Sequence, residues 1–105
     1  MKDLYFIGSA QKDLKELPEA ARREAGHQLH RVQCGLEPSD WKPMASIGKG
    51  VREIRVQIDG QFRIIYLANI AGAIYVLHAF TKKTQKTTQK DIDLAKARYK
   101  EVTRS

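Results

Sequence analysis

Residues 51–80 set the narrowest limit on how this chain folds: three strand-like runs come one after another there with only turn signals between them. Val51–Ile58 alternates, with Ile54, Val56 and Ile58 on one face and Glu53, Arg55 and Gln57 on the other. Asp59-Gly60 is a strong hairpin signal. Gln61–Ala68 is mostly apolar on both faces, as a central strand is, and Asn69–Gly72 supplies the next turn. Ala73–Phe80 is again apolar on both faces. Connections this short leave no room for a crossover, so the three strands are expected to be antiparallel neighbours.

The rest of the chain must cover that sheet. Leu4–Ile7 reads as a first strand, and Ser9 offers the N-cap of a helix. Leu14, Leu17, Ala21, Ala25, Leu29, Val32 and Leu36 recur at steps of three or four, which lines one helical face. Pro18 interrupts the pattern, because proline is tolerated in a helix's first turn and damaging inside it. Two helices are therefore predicted, 9–16 and 18–34, meeting as a hairpin, with Gly35 as the C-terminal cap. Glu37–Gly50 is a long connection holding Pro38, Pro43, Gly48 and Gly50, with Trp41 and Met44 expected to pin it to the core. Residues 81–88 are a polar loop, and a last helix from Gln89 to Val102 carries Ile92, Ala95, Tyr99 and Val102 on one side. The expected fold is a small α+β domain over residues 1–105. Its order is β-α-α-β-β-β-α around a small antiparallel sheet, with the N-terminal helical hairpin packed on one sheet face.

Several function classes drop out. No run of about 18 apolar residues exists, so no membrane-spanning helix is expected. Met1-Lys2-Asp3-Leu4 lacks the charged-then-apolar stretch of a signal peptide, so none is expected. Cys34 is the one cysteine, so no disulfide can form within the chain, which suits a reducing cytoplasm. His27, His30 and Cys34 share a helical face, but no second cysteine or placed carboxylate completes a site, and no metal is expected. Cys34 lacks a nucleophile's motif. Gly48-Lys49-Gly50 is too short for a phosphate-cradling loop, and no paired carboxylates suggest hydrolytic acid–base work.

What remains is positive charge. Nineteen Lys and Arg against twelve Asp and Glu leave +7, and five of those net charges lie between Thr81 and Ser105. Such a tail serves solubility alone or marks a nucleic-acid footprint, in which each cation neutralises a phosphate and releases a counterion. More pointed are the cations on and beside the sheet. Lys49 precedes the second strand, Arg52 and Arg55 lie on it, Arg63 starts the third, His78 is late in the fourth, and Lys82 and Lys83 come directly after it. The hairpin makes Arg55 and Arg63 near cross-strand neighbours, and like charges at that range repel. The plain alternative has each cation solvated or paired, with Glu53 serving Arg55 or Arg63. For the cluster as a whole, a phosphate site is the better explanation.

Three segments carry a resemblance: Val51-Arg-Glu-Ile-Arg-Val56, Gly60-Gln-Phe-Arg-Ile-Ile-Tyr66 and Leu77-His-Ala-Phe-Thr-Lys-Lys-Thr84. They resemble the RelE/HigB-type toxins of type II toxin–antitoxin systems, most closely the phage-derived host-inhibition branch, and the element order agrees over nearly the whole chain. The resemblance implies a cytoplasmic, ribosome-dependent mRNA endoribonuclease that inhibits translation and needs no metal or other cofactor. In such enzymes the RNA's own 2′-hydroxyl attacks the adjacent phosphate. Fixed cations stabilise the dianionic transition state, while a base and an acid handle the protons. Carried over, Arg63 holds the scissile phosphate, Arg55 stabilises it, and Lys82 or Lys83 supplies the basic group after the fourth strand. His78 is the candidate for proton transfer, since imidazole titrates near neutrality. Lys49, Arg52 and Lys86 complete the expected RNA-binding set. Some members use a C-terminal tyrosine as base, and here Thr84–Lys90 contains none.

The implied partners are a cognate helix-turn-helix antitoxin and mRNA on the ribosome, with 16S rRNA contacts; no membrane is involved. Two other readings stand beside this one: a ParE-like, non-enzymatic inhibitor of DNA gyrase, and a basic nucleic-acid-binding module without catalysis. The nuclease reading requires Arg55, Arg63 and the Lys82–Lys83 pair to converge on one side of the sheet.

Overall fold

A hairpin sheet with two apolar faces needs cover on both, and the computed structural model supplies it from three helices. It describes residues 1–104, with the backbone alone at 69 and 70. The elements are β1 (Asp3–Phe6), α1 (Ala10–Lys15), α2 (Glu19–Gln33), β2 (Trp41–Pro43), β3 (Val51–Val56), β4 (Phe62–Ile70), β5 (Ala73–Thr81) and α3 (Gln89–Thr103). The sheet order is β1-β5-β4-β3-β2. The α+β class and the helical hairpin on one face stand as expected from the sequence.

Two details of the sheet differ. Trp41–Pro43, expected inside a loop, forms a short antiparallel edge strand on β3, so the sheet has five strands. β1 pairs with β5 in parallel, since the helical hairpin rather than a tight turn separates β1 from the rest. The other neighbours are antiparallel.

α1 and α2 bury Leu14, Ala21, Ala25, Leu29 and Val32 against Ile54, Ile64, Ile74 and Val76. α3 covers the opposite face, where Ala95, Ile92, Tyr99 and Val102 meet Val51, Ile65, Leu67 and Leu77, together with Met44 and Ile47 of the long connection. Cover on both sides explains why β4 and β5 are mostly apolar on both faces. α2 ends in a Schellman motif: the amide of Gly35 (φ +83°) bonds the Val32 carbonyl and that of Leu36 bonds the Arg31 carbonyl. Leu36 is thereby carried past the helix and is 53% exposed, not part of the buried stripe.

One irregularity bears on the site. The β4–β5 register steps from Ile65↔His78 to Tyr66↔Val76, leaving Leu77 as the extra residue of a bulge. Leu77 joins the core under α3 and His78 also bonds an α3 residue, so two successive side chains face the same helix. Among the described residues, no helix is long and apolar enough to cross a membrane.

Candidate phosphate-binding site

The site grows from a register. β3 and β4 pair so that Arg55 stands directly opposite Arg63, with Glu53 two residues earlier on the same face of β3. On the other side of β3, Lys42 of β2 stands opposite Glu53. Beyond the last β4–β5 pair, the Lys82 amide donates to the Gln61 carbonyl at 2.7 Å. That bond prolongs the ladder by one residue and brings Lys82 alongside Arg63. Four segments thus deliver four cations to one end of the sheet.

Glu53 is the hub. Its side chain is fully buried. Oε1 lies 3.6 Å from Arg63 Nε and 3.8 Å from Lys42 Nζ. Oε2 accepts a 2.7 Å hydrogen bond from the Thr87 hydroxyl. Arg63 is itself buried; its Nη1 donates to the Phe62 carbonyl at 2.8 Å and its Nη2 to Gln61 Oε1 at 3.3 Å. Arg55 pairs with Asp40 at 3.8 Å, and its amide bonds the Asp40 carbonyl. Removing one partner of a buried pair such as Glu53–Arg63 costs about 3–5 kcal/mol, because the other charge is stranded.

The cluster is under-satisfied. Glu53 Oε1, Arg63 Nε and Arg55 Nε are buried and carry no hydrogen bond among the described residues. The ion-pair distances of 3.6–3.8 Å are too long to count as such bonds. Arg63 is repelled by Arg55, and Lys82 by Arg63, Lys42 and Arg55, while Glu53 attracts both and Asp40 attracts Arg63. Burial, reinforced by Arg55 and opposed by Glu53 and Asp40, lowers the Arg63 pKa from its ordinary value. Lys82 is also held below the usual lysine value, by burial first and then by Arg63, with Lys42 and Arg55 adding to the push and Glu53 opposing it. Crowded cations with unmet donors are relieved by an anion.

An open cleft lies over this cluster, lined by Gln61, Arg63, Lys82, Lys83, Thr84 and Gln85. A second depression continues along the loop past Lys86 to Asp91. Of the residues expected from the sequence, Arg55, Arg63 and Lys82 converge on one side of the sheet, and Lys83 and Lys86 sit exposed on the adjoining loop. Arg52 does not join them. It stacks over the Trp41 ring at 4.0 Å, pairs with Glu37 at 3.9 Å, and lines a pocket with Val32 and Tyr66 on the α2 side. Lys49 is exposed on the long connection, where its carbonyl accepts from the Tyr99 hydroxyl.

His78 also lies apart. It is buried, its Nε2 is 2.8 Å from Asp91 Oδ1, and its ring stacks on Phe80 at 4.6 Å. It does not line the Arg63–Lys82 cleft.

Sequence reasoning missed Lys42, Asp40 and Thr87. Lys42 lies on a strand of only three residues, too short for any periodicity, and Thr87 is one of four threonines in a uniformly polar loop. The pairing of Glu53 with Arg63 was one of the two options that the alternation on β3 allowed.

A search of curated proteins finds no match to this chain. The family model described as phage derived protein Gp49-like (DUF891) matches residues 12–100, a span holding every cation of the cluster and all of α2, with α1 entered at its third residue and α3 covered as far as Lys100. On that match the chain belongs to the phage derived protein Gp49-like family.

Proposed function

We propose that this chain is the toxin of a type II toxin–antitoxin system, a RelE-like endoribonuclease that cuts mRNA on the ribosome. Membership of the Gp49-like phage-derived family supports the toxin character. The observation that carries the nuclease reading is the crowded cluster: Arg63 and Lys82 line one cleft, Arg55 stands opposite Arg63 beside it, and the Nε of both arginines has no hydrogen bond among the described residues. A phosphodiester seated there offsets the crowded positive charge. As the 2′-oxygen bonds to phosphorus and the bond to the 5′-oxygen breaks, the phosphoryl oxygens gain charge beside the two arginine cations, which are already fixed.

Proton transfer falls to Lys82 in this reading. Lowering its pKa raises the share of neutral amine that can take the 2′-hydroxyl proton, and the ammonium of exposed Lys83 protonates the leaving 5′-oxygen. His78, held by Asp91 outside the cleft, serves as a structural residue. The toxin acts in the cytoplasm and is silenced by a helix-turn-helix antitoxin.

One observation favours a second reading, RNA binding without cleavage: the cleft-lining residues include no imidazole and no carboxylate. Inducing the chain with and without the neighbouring reading frame, then mapping mRNA 5′ ends, separates the readings. The nuclease produces new 5′ ends within translated codons, and the neighbour suppresses them. Arrest with intact mRNA and broken DNA points to a gyrase inhibitor, and salt-steep RNA binding with no new ends points to the non-catalytic module.

A further inference from the structure

Like Arg55, Lys42 belongs to the cluster without lining the cleft. It belongs to β2, on the far side of β3 from Arg63, yet its Nζ lies 3.8 Å from the same Glu53 oxygen that Arg63 Nε approaches at 3.6 Å. Glu53 has one charge to share, and Thr87 already takes its other oxygen. Lys42 therefore competes with Arg63 for Oε1, and it also repels Lys82. Its side chain is 37% exposed, so the ammonium is free to swing toward solvent on a flexible stem, whereas Arg63 is locked in the sheet. The short strand that carries it is fixed from behind by Trp41 under Arg52, and by Met44 and Ile47 in the core. A long connection pinned at three points thus serves to hold one lysine at the edge of the cluster.

We infer that Lys42 is a phosphate-binding residue, gripping the RNA strand where it leaves the Arg63–Lys82 position toward the β2 edge. This rests on the nuclease reading and adds a contact to it: the strand runs from the Lys83–Lys86 loop, over the cluster, to Lys42. An anion arriving there draws Lys42 off Glu53 and leaves Oε1 to Arg63 alone, so the strand's own charge completes the buried pair. Lys42 touches the backbone and reads no base.

The test is binding of a fluorescent single-stranded RNA oligonucleotide over a range of KCl concentrations. The proteins are the wild type, Lys42→Met, Lys42→Arg, Arg63→Lys and, as a control far from the cleft, Lys12→Met, each confirmed folded by circular dichroism. Lys42→Met keeps the apolar stem and removes the charge. It is expected to weaken binding several-fold at low salt and to reduce the slope of log K against log salt by about 0.7, one single-strand phosphate contact. Lys42→Arg keeps the wild-type slope, and Lys12→Met changes neither quantity. If Lys42→Met behaves like Lys12→Met while Arg63→Lys weakens binding, the inference about Lys42 is overturned and the nuclease reading stands. If the wild type itself shows no salt-dependent RNA binding, the inference about Lys42 is overturned, and the nuclease reading is decided by the mRNA 5′ ends.

Discussion

The Thr87 hydroxyl donates a 2.7 Å hydrogen bond to the buried carboxylate of Glu53, tying the basic loop after β5 to the middle of β3. The bond closes the cluster from above, since Lys82 and Lys83 lie between the end of β5 and this anchor. Thr87→Val, which keeps shape and removes the donor, is expected to lower the unfolding free energy by about 1.5–3 kcal/mol, the worth of a hydrogen bond to a charged group. Thr87→Ser retains most of it. Urea denaturation of the two variants checks this, and equal losses would show that the hydroxyl contributes nothing.

His78 is expected to matter for stability and not for chemistry. Its bond to Asp91 joins β5 to the first turn of α3, where Asp91 also accepts from the capping Thr88 hydroxyl. His78→Ala should cost about 2 kcal/mol through the lost bond and packing. RNA cleavage per folded molecule should stay at the wild-type level.

On the proposed reading, Lys82 is expected to set the alkaline limit of RNA binding. Its folded pKa lies below the ordinary 10.5, so as pH rises the ammonium is lost earlier than on a free lysine, and affinity falls within the alkaline range before 10.5. Lys82→Arg should hold the plateau to higher pH. Stability is a poorer readout. Between the lowered Lys82 pKa and 10.5 the unfolded chain binds more protons, so stability rises with pH. Tyr66 works the other way: burial raises its pKa above 10.0, so above that value the unfolded chain holds fewer protons and stability falls.

The β4–β5 turn offers a test independent of function. Ala71 (φ +52°) and Gly72 (φ +73°) both adopt left-handed backbone, the type I′ pattern that suits Asn-Gly. Alanine is strained there by about 1 kcal/mol. Ala71→Asn is expected to raise the thermal midpoint and leave RNA binding unchanged.

The legible parts of the site were those set by local turn chemistry and strand parity. Asp59-Gly60 marks the hairpin and so makes Arg55 and Arg63 near neighbours, but a two-residue turn there would set Arg55 opposite Ile64; the observed pairing of Val56 with Phe62 leaves a five-residue connection, 57–61, and that register brings Arg55 opposite Arg63. The same parity separates Arg52 from Arg55, since residues three apart on a strand face opposite ways, and the structure puts Arg52 against Trp41 on the α2 side. Grouping Arg52 with the site treated the strand as a string of charges and not as a pleat. His78 could not be placed because its direction depends on the bulge at Leu77, which no local signal marks. Lys42 was hidden because β2 exists only through its pairing with β3. Lys82 and Lys83 were separable only once the ladder was seen to run on to the Gln61 carbonyl.

The most direct measurement is the end chemistry of mRNA after the purified chain is added to translating ribosomes, compared with Lys82→Ala. The fixed-cation site predicts fragments ending in a 2′,3′-cyclic phosphate and beginning with a 5′-hydroxyl, with the rate reduced about a hundredfold or more by Lys82→Ala as for the loss of a general base. Fragments with a 5′-phosphate, or undiminished cleavage by Lys82→Ala, would contradict it.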